Sequence, residues 1–260
     1  MSDAPFDSTR RRLLAGTVAA MSAALSGCDR VASSPAVNTA LASADNLSFH
    51  VQRLLLGRGA LAREYPSSAI RRDFRANGST RPDSEIYQRH VAEDFRNWRL
   101  EIGGLVDTPL SLSLGDLRAA PSRSQITRHD CVEGWSSIAQ WRGARLAALL
   151  QRAGIKSSAR YVGFFCADSL ELTLDGTGDY YETIDLVDAM HEQTILAYEM
   201  NGQPLPIAHG APVRLRVERQ LGYKMAKYVM RIELLESFTH LGRGKGGYWE
   251  DRGYQWYAGI

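Results

Sequence analysis

The segment from position 128 to position 136 reads Arg128-His129-Asp130-Cys131-Val132-Glu133-Gly134-Trp135-Ser136, the densest run of chemically active side chains in the chain. The pattern predicts a strand that ends on Cys131, followed by a turn that leaves the sulfur at the mouth of the fold. Cys131 then has three interpretations: a buried packing residue, a disulfide partner of Cys166, or a soft metal ligand or nucleophile. Positive charge on Arg128 and His129 would favour the thiolate that the third interpretation needs.

The cysteine content narrows these choices. The chain has three cysteines, and setting Cys28 aside leaves Cys131 and Cys166. Two cysteines cannot staple a disulfide-dependent fold, although a single bridge is possible in an oxidising compartment. No second Cys or His lies at a zinc-like spacing from Cys131, so the sequence does not favour a structural zinc site.

Strand and helix patterns interleave unevenly around this segment, and no glycine-rich dinucleotide turn is present. The net charge of +2, from 31 basic and 29 acidic residues, gives no basic excess that would indicate nucleic-acid binding. These features predict a single mixed α+β domain. The predicted strands are Trp98–Ile102, Ser124–Cys131, Tyr161–Cys166, Leu170–Leu174, Val213–Val217 and Tyr228–Leu234, and the predicted helices begin at Ser113, Gly143 and Asp185.

The N-terminal residues are typical of an export address. Thr9-Arg10-Arg11-Arg12-Leu13-Leu14 matches the twin-arginine pattern, and Leu25-Ser26-Gly27-Cys28 resembles the lipobox of bacterial lipoproteins. We therefore expect residues 1–27 to form a twin-arginine lipoprotein signal peptide, residues 28–46 a flexible tether lipidated at Cys28, and residues 47–260 the folded domain. This organisation predicts a periplasmic protein that is lipid-anchored to the inner membrane.

The segment from Cys131 to Ser136, followed by Trp141-Arg142-Gly143, resembles the cofactor cysteine segment of the sulfite oxidase superfamily. The resemblance is nearer the branch of the protein-methionine-sulfoxide reductases, because the glycine-asparagine-arginine run of the sulfite oxidases is absent after the cysteine. The similarity covers most of the chain after the tether. It includes Phe74-Arg75-Ala76-Asn77-Gly78, Trp98–Gly104, Leu196–Arg214, Gly222–Lys227 and Gly247–Tyr254.

This resemblance implies a sulfite-oxidase-type molybdopterin-binding domain without an immunoglobulin-like dimerisation domain, and hence a monomer. It also implies a molybdenum–molybdopterin cofactor, with Cys131 as the catalytic residue and metal ligand. His209, Arg214 and the lysines would bind the phosphate of the cofactor. The implied cofactor-binding residues are Asn77, Gly78, Cys131, Cys166, His209, Arg214, Lys224, Met225, Ala226 and Lys227, with Asp168 as an alternative to Cys166.

The resemblance further implies an oxidoreductase that acts by oxygen-atom transfer, and its branch favours reduction of a sulfoxide or a related S- or N-oxide, small or protein-bound. Sulfite oxidation is the alternative within the family: Ala76 stands where sulfite oxidases carry an arginine, but Arg128 and Arg142 could supply charge. A metal-free lipoprotein binding module is the alternative of another class, because Ala76 and Gly78 replace the usual Arg and His. With no haem or flavin motif in the sequence, a membrane cytochrome or a soluble cytochrome c would exchange electrons with the enzyme.

Overall fold

The computed structural model describes residues 34–171, 173 and 178–260. The predicted signal peptide and the predicted lipidation site at Cys28 lie outside these residues. The chain divides into two compact units, Met1–Leu55 and Leu56–Ile260. None of the helices in the described ranges is long and apolar enough to cross a membrane.

Helix α1 (Pro35–Leu56) makes up most of the described part of the first unit. Residues 35–46 lie in this helix, whereas the sequence predicted a flexible tether there. Proline is tolerated in the first turn of a helix, where its missing N–H has no acceptor in the helix. The hydroxyls of Thr39 and Ser43 donate to the carbonyls of Pro35 (2.8 Å) and Thr39 (2.9 Å), so the small polar residues are accommodated within the helix.

The second unit contains the strands and the remaining helices. Its strands are β1 (Leu100–Gly104), β2 (Leu110–Leu112), β3 (Ser122–Asp130), β4 (Ser136–Arg145), β5 (Tyr161–Ser169), β6 (Asp179–Asp185), β7 (Ile195–Met200), β8 (Gln203–Pro204), β9 (Arg214–Arg216) and β10 (Val229–Leu235). Its α-helices are α2 (Glu85–Ala92), α3 (Leu114–Ala119), α4 (Leu146–Ala153) and α5 (Leu186–Ala189), with single 3-10 turns at Ser67–Ala69, Ile207–His209, Gly222–Lys224 and Glu250–Arg252.

Within the described residues the strands form two sheets. The first has the order β2-β1-β10-β5-β6, with β1 parallel to β10 and the other neighbours antiparallel. The second has the order β3-β4-β7-β8, with β9 also paired to β7. Strands and helices are therefore mixed without regular alternation, which confirms the predicted α+β class.

Local sequence explains two of the helices that were predicted. Ser113 caps α3 by accepting from the N–H of Asp116 (3.1 Å), and the Asp116 carboxylate accepts from the N–H of Ser113 (2.8 Å), which is a complete capping box. Helix α4 ends at Gly154, whose φ of 75° is in the left-handed region. The predicted start of α4 at Gly143 is too early, because residues 143–145 belong to β4. Gly143 packs closely against β7 there, since a Cβ at this position would lie 2.1 Å from the Leu196 carbonyl oxygen.

The strand predicted over Leu170–Leu174 is not found at its described positions. Leu170, Glu171 and Thr173 have no strand assignment, and residues 172 and 174 are outside the described residues. The N–H of Leu170 donates to the carbonyl of Gly178 (2.9 Å), so this segment turns back toward β6 instead of extending β5. Strands β6 and β7 were not predicted from the sequence.

Two buried hydrophobic clusters hold the second unit together. The larger one contains side chains from both sheets and from α4, including Leu150, Phe164 and Ile232. The smaller one contains Phe74 and Trp141, whose rings are 5.6 Å apart and perpendicular to each other. The smaller cluster anchors the start of the segment that contains Asn77.

Candidate functional site

Cys131 lies at the tip of the hairpin between β3 and β4, as the sequence predicted. Its N–H donates to the carbonyl of Trp135 (2.9 Å), and its carbonyl accepts from the N–H of Gly134 (3.0 Å). Gly134 has a φ of 85°, a conformation that favours glycine. The Glu-Gly-Trp sequence thus makes a tight turn that carries the thiol to the wall of a cavity.

The surroundings of the thiol differ from the prediction in one respect. Arg128 pairs with Asp130 (2.9 Å), and His129 is fully buried with its pKa held well below 6.5 by burial and by Arg216. The expected stabilisation of a thiolate by Arg128 and His129 is therefore wrong, and burial raises the pKa of Cys131. Cys131 and Cys166 are both free thiols, so they do not form the disulfide that the sequence left open.

A cavity of about 140 Å³ opens beside Cys131. Five of the residues implied by the resemblance line it together, although they come from separate parts of the chain. Its wall consists of Asn77, Gly78, Ser79, Cys131, Val132, Glu133, Asp168, Leu170, Tyr180, Gly222, Tyr223, Met225, Lys227, Trp249 and Tyr254. The sequence motifs at 74–78, 131–136 and 222–227 therefore meet at one place.

Lys227 connects two of these motifs. Its ammonium donates to the carbonyls of Asn77 (2.7 Å), Ser79 and Ala208 (3.2 Å), so that its three donors hold the 77–79 segment against the cavity. Burial and the neighbouring Arg214 lower the pKa of Lys227 to about 7. Keeping the Lys227 ammonium charged at this position therefore costs free energy in the ligand-free protein.

Arg214 and His209 lie next to Lys227, as the resemblance implied. Arg214 is buried, donates to the carbonyls of His209 (3.1 Å) and Met225 (3.3 Å), and has no described partner for its Nε. Burial and Arg216 lower the pKa of Arg214 to about 9, and burial with Arg214 and Lys227 lowers the pKa of His209 to about 4. Ala226 is buried in the same segment, and the N–H of Leu215 donates to its carbonyl (2.8 Å).

This group of cations fits an anionic ligand. Among the described residues, neither Arg214 nor Lys227 has a carboxylate within ion-pair distance. Their pKa values are lowered by burial and by a neighbouring arginine, which is Arg216 for Arg214 and Arg214 for Lys227, and a phosphate placed among them would oppose this lowering. The free thiol of Cys131 and this uncompensated positive charge are the two features that a phosphorylated, metal-bearing cofactor needs.

The structure shows which of Cys166 and Asp168 lines the cavity, a choice that the sequence left open. The pairing of β5 with β6 shifts register between Phe165 and Ser169, and such an irregularity interrupts the regular alternation of side chains along a strand. Asp168 lines the cavity and is 4% exposed. Cys166 is outside the cavity wall, and its pKa is raised well above the usual range, chiefly by burial.

Lys224 occupies a different environment from Lys227. Its ammonium is fully buried and lies 2.5 Å from Glu182 Oε1 and 2.5 Å from Glu250 Oε1. Lys224 is not part of the cavity wall, and its ammonium is paired with two carboxyl groups, unlike the ammonium of Lys227. In this structure its contacts tie the 222–227 segment to β6 and to the C-terminal 3-10 turn.

A second buried polar network was not predicted from the sequence. Arg216 pairs with Glu218 (2.6 Å) and donates to His129 Nδ1 (3.0 Å), with the Arg216 and Glu218 side chains fully buried. Because a guanidinium can only donate, His129 carries its proton on Nε2. Apolar and charged residues alternate in Val213-Arg214-Leu215-Arg216-Val217. This pattern also fits a strand with one exposed face, so the sequence did not distinguish Arg216 from a surface residue.

Among the described residues, no group of three or more His, Cys, Asp or Glu side chains could hold a metal ion by itself. The protein would offer a metal in this cavity the single thiolate of Cys131. The remaining ligands would then come from the cofactor.

Together, the α+β fold, the free thiol and the uncompensated cations fit the class of proteins that bind an anionic metal cofactor. Residues 88–240 match the model of the oxidoreductase molybdopterin binding domain, and the chain belongs to this family. It is therefore an oxidoreductase, and the molybdopterin-binding domain predicted from the sequence is confirmed.

Several named proteins are similar to this chain. A protein of Azospira oryzae, provisionally named protein-methionine-sulfoxide reductase subunit YedZ1, is 39% identical over 235 residues, covering 90% of this chain and 81% of that protein. The protein-methionine-sulfoxide reductase catalytic subunit MsrP of Ralstonia nicotianae is 37% identical over 147 residues, covering 54% of this chain and 44% of MsrP. The solved structure of the sulfane dehydrogenase SoxCD from Paracoccus pantotrophus is similar with a TM-score of 0.48 and 24% identity, over 55% of this chain and 39% of that one. The match therefore spans less than half of the length of MsrP.

Proposed function

We propose that this chain binds a molybdenum–molybdopterin cofactor through Cys131 and reduces a sulfoxide, with methionine sulfoxide as the substrate type. The cavity beside Cys131 carries the proposal: much of its wall is aromatic or aliphatic, and no arginine lines it within the described residues. A sulfoxide is a neutral polar group, whereas the sulfite dianion calls for several cationic donors. The names of the relatives in Azospira oryzae and Ralstonia nicotianae support the same substrate class.

The side chains around the cavity have separate tasks in this proposal. Cys131 would supply the soft thiolate that molybdenum favours, and binding of the metal would offset the raised pKa of the thiol. Arg214 and His209 would hold the phosphate, and Lys227 would add charge while it keeps the 77–79 segment in place. The bound cofactor supplies a two-electron redox step with oxygen-atom transfer.

The aromatic wall serves the substrate. Tyr223 and Tyr254 pack edge to face with ring centroids 5.1 Å apart, and Trp249 stacks on Tyr254 at 5.2 Å. These rings form one apolar side of the cavity beside the thiol. They would exclude water and pack against the alkyl groups of a sulfoxide.

Metal analysis combined with two assays tests the proposal. The chain is produced in a host that makes the cofactor, and the purified protein is assayed for molybdenum, for methionine sulfoxide reduction with a reduced viologen dye, and for sulfite oxidation. We expect stoichiometric molybdenum and sulfoxide reduction in the wild type. Cys131→Ser should lose both, whereas the matched control Cys166→Ser should retain the metal, because Cys166 is outside the cavity wall.

The outcomes separate the competing functions. Rapid sulfite oxidation without sulfoxide reduction would overturn the substrate assignment but leave the cofactor assignment intact. A wild-type protein without molybdenum would instead support the metal-free binding module.

The proposal includes export and an external electron donor. The twin-arginine pattern at 9–14 and the lipobox at 25–28 support a periplasmic protein lipid-anchored at Cys28. A membrane cytochrome or a soluble cytochrome c would supply the electrons, because the sequence has no haem or flavin motif of its own.

Cell fractionation of the same expression strain, with Cys28→Ala for comparison, tests the anchor. Release of the variant from the membrane fraction is expected, and equal membrane retention of both proteins would contradict lipidation.

A further inference from the structure

Asp168 is a buried carboxyl group on the wall of the cavity that contains Cys131. It lies near the end of β5, is 4% exposed, and its Oδ1 has no hydrogen-bond partner within the described residues. A buried carboxylate oxygen without a donor is costly, so such a group either binds a ligand or holds a proton. Asp168 and Cys131 line the same cavity, so such a proton would be available there.

The groups that surround Asp168 leave it available for proton exchange. Burial acts most strongly and raises the pKa of Asp168 to about 7, while Lys227 opposes this rise and Asp179 adds to it. Protonated and ionised forms are therefore both populated near neutral pH. The other titratable groups whose pKa values respond to Asp168 are Cys166 on its own strand, Tyr180 on β6, Tyr87 on α2, and Tyr228 before β10.

Sulfoxide reduction requires two protons in the cavity. The S–O bond breaks, the sulfur gains two electrons from the external donor, and two protons join the departing oxygen: R2SO + 2 e⁻ + 2 H⁺ gives R2S + H2O. General acid catalysis of such a step needs a positioned group whose pKa is near the operating pH. The cavity therefore needs one side chain that gives up a proton at neutral pH and regains it from solvent.

The other titratable groups of the wall are less suited to this task. Lys227 uses its donors on three carbonyls, and Tyr180 donates to the carbonyl of Tyr223, with its pKa raised well above 10 by burial. Glu133 has a half-exposed carboxylate that accepts from Trp135 Nε1 (3.0 Å). Cys131 is committed to the metal in the proposed function.

We propose that Asp168 is the residue that donates a proton to the substrate oxygen in this cavity, an inference that rests on the proposed sulfoxide reduction. The second proton comes from solvent, which also restores the proton on Asp168. Since the donor must be protonated, turnover is full below the pKa of Asp168 and falls as the pH rises through it.

Three variants test this role in the molybdenum-loaded protein: Asp168→Asn, Asp168→Glu and the exposed control Asp83→Asn. With methionine sulfoxide and a reduced viologen dye, Asp168→Asn should lower kcat about 100-fold at unchanged molybdenum content and remove the fall of kcat near neutral pH. Asp168→Glu, which keeps a titratable carboxyl group, should recover part of kcat. Asp83→Asn should resemble the wild type.

Infrared spectroscopy without substrate gives a readout that does not depend on activity. The wild type should show a protonated carboxyl C=O band that disappears as the pH rises through neutrality and that Asp168→Asn lacks. Absence of this band, or unchanged kcat and pH profile in Asp168→Asn, overturns the role of Asp168 alone. Loss of molybdenum with unchanged turnover per metal shows that Asp168 binds the cofactor instead. A wild type that reduces no sulfoxide overturns the proposed function and this role with it.

Discussion

The buried triad of Lys224, Glu182 and Glu250 permits a quantitative prediction for Lys224→Met. The three side chains are 0–1% exposed, and Lys224 Nζ lies 2.5 Å from a carboxyl oxygen of each glutamate. The change removes the ammonium between two buried carboxyl groups. Breaking a buried ion pair from one side costs about 3–5 kcal/mol, because a charge is left without compensation.

We therefore expect the free energy of unfolding, measured with urea, to fall by about 3–5 kcal/mol, and Tm to fall by about 6–20 °C for a domain of this size. The exposed Lys156 supplies the matched control, since Lys156→Met should change stability by no more than about 0.5 kcal/mol.

The pH dependence has a definite sign. The pKa of Glu182 is already raised by burial and by Glu250, and loss of the ammonium raises it further. A carboxyl group with a raised folded-state pKa stabilises the fold while it is protonated and loses that contribution as the pH rises. The loss of stability caused by Lys224→Met should therefore become smaller toward acid pH. Adding Glu182→Gln to Lys224→Met should recover part of the free energy of unfolding. A variant of wild-type stability that has lost its molybdenum would refute this reasoning and make Lys224 a cofactor ligand.

Two further predictions concern the walls of the site. Gly222→Ala should lower the free energy of unfolding in urea by about 1–3 kcal/mol, because its Cβ would lie 2.4 Å from the His129 ring. Gly103→Ala is the control, since there is open space around its Cβ. Equal losses of stability in the two variants would contradict this explanation. In cofactor-free protein, NMR should show the pKa of His209 near 4. Inorganic phosphate should raise this pKa, because its negative charge would offset the repulsion from Arg214. A pKa of His209 that phosphate leaves unchanged would argue against an anion site there.

Local sequence was sufficient where a few neighbouring residues determine the conformation. Ser113 and Asp116 cap α3 within one turn, and Gly134 permits the tight turn after Cys131. The alternation at Leu170–Leu174 predicted a strand that is not found at the described positions, because the chain folds back at Gly178 instead. Strand β7 was missed, since a nearly continuous buried run lacks the alternation that marks a half-exposed strand.

The motifs also predicted much of the cavity wall. Asn77, Gly78, Cys131, Met225 and Lys227 line one cavity, although Asn77 and Lys227 are separated by 150 positions in the sequence. Spacing within a motif does not show which of its side chains face inward. Lys224 and Lys227 belong to the same motif, yet one ammonium pairs with Glu182 and Glu250 and the other holds the 77–79 segment.

The sequence by itself determined that Cys131 lies where a strand gives way to a tight turn, and that the chain belongs to a molybdopterin-binding family. The tertiary structure decided how that thiol is surrounded: Arg128 and His129 do not stabilise a thiolate, and Asp168 rather than Cys166 lines the cavity. The reason is physical. Backbone turns depend on adjacent residues, whereas the direction and protonation of a side chain depend on strand irregularities and on charges that distant segments bring to it.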